Sequence, residues 1–150
     1  MLDFAGTRCA AGGAVITPLG RRSGLSQSFD QIVHAVAPSH GSPDWAETLG
    51  RCYWSALDLV WASAAALPAE AGPENSVPPL SVLLPLLGAG AKAAPAADAA
   101  RFAAERCASW QPSPDSRCRE TRRLELRFGV QEDEVAGEVE EQFDLIWADE

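Results

Sequence analysis

Residues Ser81 to Pro95 read Ser-Val-Leu-Leu-Pro-Leu-Leu-Gly-Ala-Gly-Ala-Lys-Ala-Ala-Pro. An apolar run leads into a glycine turn, and an alanine-rich segment opened by proline follows. That order predicts a strand buried on both faces, a tight loop and then a helix. It places backbone N–H groups at the carboxyl end of a strand, where loop amides and a helix dipole favour anions. Gly88 and Gly90 let the backbone approach a ligand without Cβ interference. Lys92, the only lysine of the chain, adds a positive charge at the loop tip. The same pattern also serves as a plain turn that packs a helix on a sheet, with Lys92 in solvent.

Candidate elements alternate along the rest of the chain. Ala14–Thr17 and Gln31–Ala37 are strands by composition, with a polar loop from Pro18 to Ser28 between them. Ser42 is a suitable N-cap and Pro43 a suitable first helical residue. Trp45, Leu49, Cys52, Tyr53, Ala56, Leu57, Val60 and Trp61 recur at helical spacing, so a helix is expected to about Ala65. Residues 67–79 carry four prolines and form a connection. A helix follows from Pro95 to about Ala108, and a loop covers 111–121. Arg122–Phe128 alternates polar and apolar residues as a strand does. A last helix is expected from Glu132 to about Phe143, weakened by Gly137. The chain of 150 residues suits one domain. Strands alternating with helices predict an α/β sandwich of three layers, with a mixed, mostly parallel sheet between helices. Ligands of such folds sit outside the carboxyl ends of strands, where Gly88–Ala94 falls.

The charge of −9 is unevenly placed. Nine acidic residues and no basic one lie between Gln131 and Glu150, and the first 130 residues balance. That acidity argues against nucleic-acid binding by the C-terminal segment. A mean hydropathy of −0.08 agrees with a soluble protein. The apolar run from Tyr53 to Leu67 is short and broken by Asp58, so no membrane span is expected. No secretory signal opens the chain. Cys9, Cys52, Cys107 and Cys118 are scattered without a Cys-x-x-Cys pair or a nearby histidine, so neither a metal site nor a cofactor is expected. A cytoplasmic, reducing setting follows, with the nucleus as the other compartment. His34, between apolar residues on a strand, reads as a hydrogen-bonded core histidine rather than a catalytic base. His40 reads as loop surface.

Three segments in order resemble the macro domain family. Cys9-x-x-Gly12-Gly-Ala14-Val-Ile-Thr17-Pro-Leu-Gly20 is similar to the family's glycine–alanine–threonine–glycine strand. Ile32-Val-His34-Ala-Val36-Ala-Pro38 resembles its isoleucine-histidine-x-valine-glycine-proline strand. Val82 to Pro95 resembles its second phosphate-binding loop. Leu124–Phe128 and the acidic helix after it are similar to its closing strand and helix. The resemblance implies binding of ADP-ribose, or of a protein carrying it. Gly88, Ala89, Gly90, Ala91 and Lys92 then hold the phosphates and ribose, and Phe128 offers a wall to the adenine or ribose. It also implies a protein lacking the family's N-terminal strands and its Asn-containing loop. No Asn-Ala-x-Asn or Gly-Gly-Gly occurs, and the only asparagine is Asn75. Lys92 stands where the loop usually has an aromatic, and Ala37 where Gly precedes Pro. Weak binding of ADP-ribose or a related nucleotide diphosphate is therefore expected, with no catalytic residue assigned. Two alternatives remain: a non-catalytic relative acting through protein contacts, and a mono-ADP-ribosyl hydrolase. Sheet edges left open by missing strands offer a route to a homo-oligomer.

Overall fold

A computed structural model describes residues 9–20, 24–66, 79–113, 123–130 and 133–147. Most of the expected connections at 67–79 and 111–121, with Asn75 and Cys118, lie outside them. The chain runs β1 (Ala14–Pro18), β2 (Gln31–Ala35), α1 (Trp45–Ala66), β3 (Leu80–Pro85), α2 (Ala96–Ser109), β4 (Leu124–Gly129) and α3 (Asp133–Trp147). Short 3-10 turns occupy Gly24–Gln27 and Gly90–Lys92. Among the described residues strand pairing is mixed. β1 and β2 are antiparallel, with Val15 opposite His34 and Thr17 opposite Ile32. β3 and β4 are parallel, with Leu84 opposite Phe128. No ladder joins the two pairs among the described residues.

Helix α1 connects the two pairs. Its first i→i−4 bond runs from Thr48 N to Asp44 O, so Asp44 rather than Ser42 is the N-cap. Ser42 instead closes the preceding turn, accepting from Trp45 N. Trp45, Leu49, Cys52, Tyr53, Ala56, Leu57, Trp61 and Ala64 form its buried face. Leu49 and Leu57 are fully buried, each stabilising the fold by about 1.5–3 kcal/mol. Cys52 Sγ donates to Val36 O just beyond β2 at 3.1 Å, and Ser55 Oγ donates to Gly12 O at 3.0 Å. The next residue, Tyr53, reaches the other pair: its hydroxyl accepts from Leu87 N at 3.0 Å.

Helix α2 packs against both α1 and α3; Ala99, Ala100, Ala103, Ala104 and Cys107 are all buried, and Ala99, Ala103 and Cys107 join the core around Leu49, Tyr53 and Leu57. Their small size lets the helix backbones come close. Trp54 clasps the C-terminal end of α2, donating from Nε1 to Arg106 O at 3.0 Å while the Arg106 guanidinium lies 5.4 Å from its ring. Helix α3 runs through Gly137 to Trp147, beyond the expected end at Phe143. Its packing overrides the glycine: Val139 is buried and Phe143 meets Phe128, with ring centroids 5.0 Å apart.

β3 corrects one expectation. Its continuous apolar run predicts burial on both faces, yet burial alternates along the strand. Leu84 is 7% exposed and Leu83 is 54% exposed. Leu83 shares its outward face with Ser81, Pro85 and the paired Arg127, and among the described residues this face is open. Composition cannot distinguish a strand covered on both sides from one whose second side is bare.

Candidate functional site

The loop after β3 is built by three residues with positive φ. Gly88 has φ +89°, Gly90 φ +64° and Ala93 φ +62°. The backbone turns sharply enough for Ala93 N to donate to Gly90 O at 2.8 Å and Ala94 N to Gly88 O at 3.1 Å. Gly88 is required at its position: a Cβ there would lie 3.3 Å from Leu49 Cδ1 in an already disfavoured backbone region. The entry of the loop is fixed by Tyr53 and its exit by Ala94, whose side chain is buried in the core.

The amides inside the loop are the chemically informative part. Those of Gly88, Ala89, Gly90 and Ala91 donate to no group among the described residues. Gly90, Ala91 and Lys92 are exposed. Consecutive N–H groups in a turn with alternating sign of φ form an anion-binding concavity. Lys92 follows them in the chain and is exposed to solvent. All five loop residues expected to hold phosphate and ribose are thus contiguous and at the carboxyl end of a strand.

Phe128 lies opposite Leu84, four positions before Gly88, and its ring packs on Phe143 and the core. His34 is half-buried, with Nε2 3.0 Å from Thr17 Oγ1 across the β1–β2 pair, the partnership expected of a structural histidine. Asp98 is half-buried and lies 3.6 Å from Arg101 on the surface of α2. Among the described residues no group of His, Cys, Asp and Glu side chains is arranged to hold a metal. No helix among the described residues is long and apolar enough to cross a membrane.

His40 was missed as a neighbour of the loop. It is exposed, as expected, but its amide donates to Lys92 O at 3.0 Å. Its ring meets Trp45 edge-on with centroids 4.7 Å apart, and Trp45 in turn meets Phe102 at 5.0 Å. The segment after β2 therefore leans on the segment after β3. One signal in the sequence points there: Pro38 prevents the β2 strand from continuing, so His40 lies beyond its carboxyl end, the side on which α/β proteins gather their loops.

With the geometry in place, comparison with known proteins identifies the family. The Macro domain family model matches residues 3–103, about two thirds of the chain. The fold is also that of solved macrodomains from Oceanobacillus iheyensis. One, with ADP, is 18% identical with a TM-score of 0.66, and the alignment covers 97% of this chain and 64% of that one. A variant with ADPR is 20% identical with a TM-score of 0.65, covering 95% and 63%. A structure with MES bound is 18% identical with a TM-score of 0.66, covering 97% and 65%. No curated protein matches the chain. The chain belongs to the Macro domain family and has its α/β fold. It spans less than two thirds of the length of the macrodomains it resembles.

Proposed function

We propose that this protein binds ADP-ribose or a related nucleoside diphosphate through the Gly88–Lys92 loop. The observation that carries the reading is the run of four loop amides, Gly88 to Ala91, with no acceptor among the described residues at the carboxyl end of β3. Family membership supports it, as do the similar macrodomains that hold ADP and ADPR. The amides take the pyrophosphate oxygens and Lys92 offsets part of their charge. Phe128, held on Phe143, contributes to the shape of the strand end more than to a ligand wall. A reducing, cytoplasmic setting suits the free thiols of Cys9, Cys52 and Cys107.

Calorimetric titration tests this reading. ADP-ribose and inorganic pyrophosphate should both give saturable heat, and Lys92→Ala should weaken each several-fold while leaving the melt unchanged. Absence of heat and of any thermal shift at millimolar ligand contradicts it.

A second reading concerns self-association. β2 and β3 are not paired to each other, and Leu83 is exposed beside the β3 edge. Unpaired strand edges of this kind recruit further strands. Light scattering that gives a concentration-dependent dimer supports this reading, and a monomer at all concentrations removes it.

A further inference from the structure

The C-terminal ends of α1 and α2 form a second feature, remote from the loop. A surface hollow of about 470 Å³ is lined by Asp58, Trp61, Ala62, Gln111 and Ser113. Trp45 begins α1 beside the loop, and Trp61 lies sixteen residues further on, about 24 Å along the helix at its usual rise. The hollow therefore owes nothing to the nucleotide reading.

Its chemistry is that of a cation site. Trp110 Nε1 donates to Asp58 Oδ1 at 2.9 Å, which fixes the carboxylate at the edge of the hollow. Asp58 is exposed, and no described residue engages its Oδ2. The Trp61 and Trp110 rings meet at an interplanar angle of 70° with centroids 5.8 Å apart. Trp61 is 6% exposed and stiffens the wall, whereas Trp110 is only half-buried. A carboxylate next to indole rings provides charge and a π surface together.

We infer that this hollow binds a guanidinium group, such as the side chain of an arginine. A guanidinium is planar and weakly hydrated, stacks on an indole and donates in a fork that matches a carboxylate. Oδ1, already accepting from Trp110, keeps a second lone pair, so both carboxylate oxygens are usable. An ammonium ion makes the charge contact but lacks the flat face. A quaternary ammonium has the apolar body but no N–H to donate to Asp58.

The test uses the full chain labelled with 15N and follows the Trp110 indole N–H signal, assigned by its loss in Trp110→Phe. Acetyl-arginine amide should shift it with saturation in the millimolar range, as fits a single exposed contact. A short peptide carrying one arginine should shift the same signal at equal or lower concentration if the natural source is a protein, and should not improve on the free side chain if it is a small molecule. Asp58→Asn retains an acceptor for the indole N–H and removes the charge, so it should fold normally and lose about tenfold in affinity. Trp110→Phe, followed through the Asp58 backbone signal, should lose about threefold. Equal shifts with acetyl-lysine amide, tetramethylammonium or neutral acetyl-glutamine amide overturn the assignment. So does an Asp58→Asn chain that binds as well as the parent.

Discussion

The hydroxyl of Tyr53 accepts a hydrogen bond of 3.0 Å from the amide of Leu87, tying the middle of α1 to the residue that precedes Gly88 in the loop after β3. Tyr53 itself is fully buried, so the bond is inaccessible to water on the helix side. The neighbouring residue, Cys52, holds Val36 at the end of β2. Two consecutive positions of one helix thus anchor both strand pairs at the end where the loop after β3 emerges.

Tyr53→Phe removes the acceptor and leaves the Leu87 N–H without one. The expected cost is about 1–3 kcal/mol, a drop in melting temperature of roughly 2–12 °C. Because the freed amide precedes Gly88 in the loop, ADP-ribose affinity should fall as well. Thermal denaturation and calorimetry on the same preparation check both effects.

The loop backbone makes opposite demands at two of its positions. Gly88→Ala places a Cβ 3.3 Å from Leu49 Cδ1 at φ +89°, and should destabilise by roughly 1–2 kcal/mol or more. Ala93→Gly relieves a side chain held at φ +62°, and should be neutral or stabilising by up to about 1 kcal/mol. Urea unfolding of both variants measures the contrast. A stability loss in Ala93→Gly equal to that of Gly88→Ala would show that the loop geometry is misassigned.

Adjacent residues of β3 should respond very differently. Leu84→Ala opens a void in the core and should cost about 2–5 kcal/mol. Leu83→Thr changes an exposed residue and should stay within about 0.5 kcal/mol of the parent. If the open face mediates self-association, Leu83→Thr also shifts the light-scattering mass toward the monomer.

This pair of leucines marks the limit of what the sequence reveals. Strand and helix positions are legible because Pro38, Pro95 and the helical recurrence from Trp45 to Trp61 are local signals. The loop after β3 is legible for the same reason, its glycines and single lysine being contiguous. Which face of Leu80–Pro85 is covered depends on what packs there, and a run of apolar residues carries no record of that. The pairing of His40 with Lys92 is equally silent, since it joins two loops fifty-two residues apart through main-chain atoms. The Asp58–Trp110 contact joins a helix face to a helix end, and no periodicity announces it.

Burial makes stability sensitive to alkali. Desolvation pushes the Cys107 thiol up from 9.0 to about 12, and also raises the Cys52 thiol and the Tyr53 hydroxyl. Between pH 9 and 12 an unfolded Cys107 has lost its proton while the folded one keeps it. The unfolded state then binds fewer protons, so stability falls as pH rises, by at most about 1.4 kcal/mol per unit from this group. Below pH 9 the contribution is fully present. Urea unfolding at pH 8, 9.5 and 10.5 should show the decline, and Cys107→Ala should make it shallower.

Titration of the full chain with ADP-ribose, read by calorimetry, bears most directly on the loop as a diphosphate cradle. Saturable heat is predicted, weakened several-fold by Lys92→Ala and more strongly by Gly88→Ala. A flat trace at millimolar ADP-ribose from a cooperatively folded sample would contradict it.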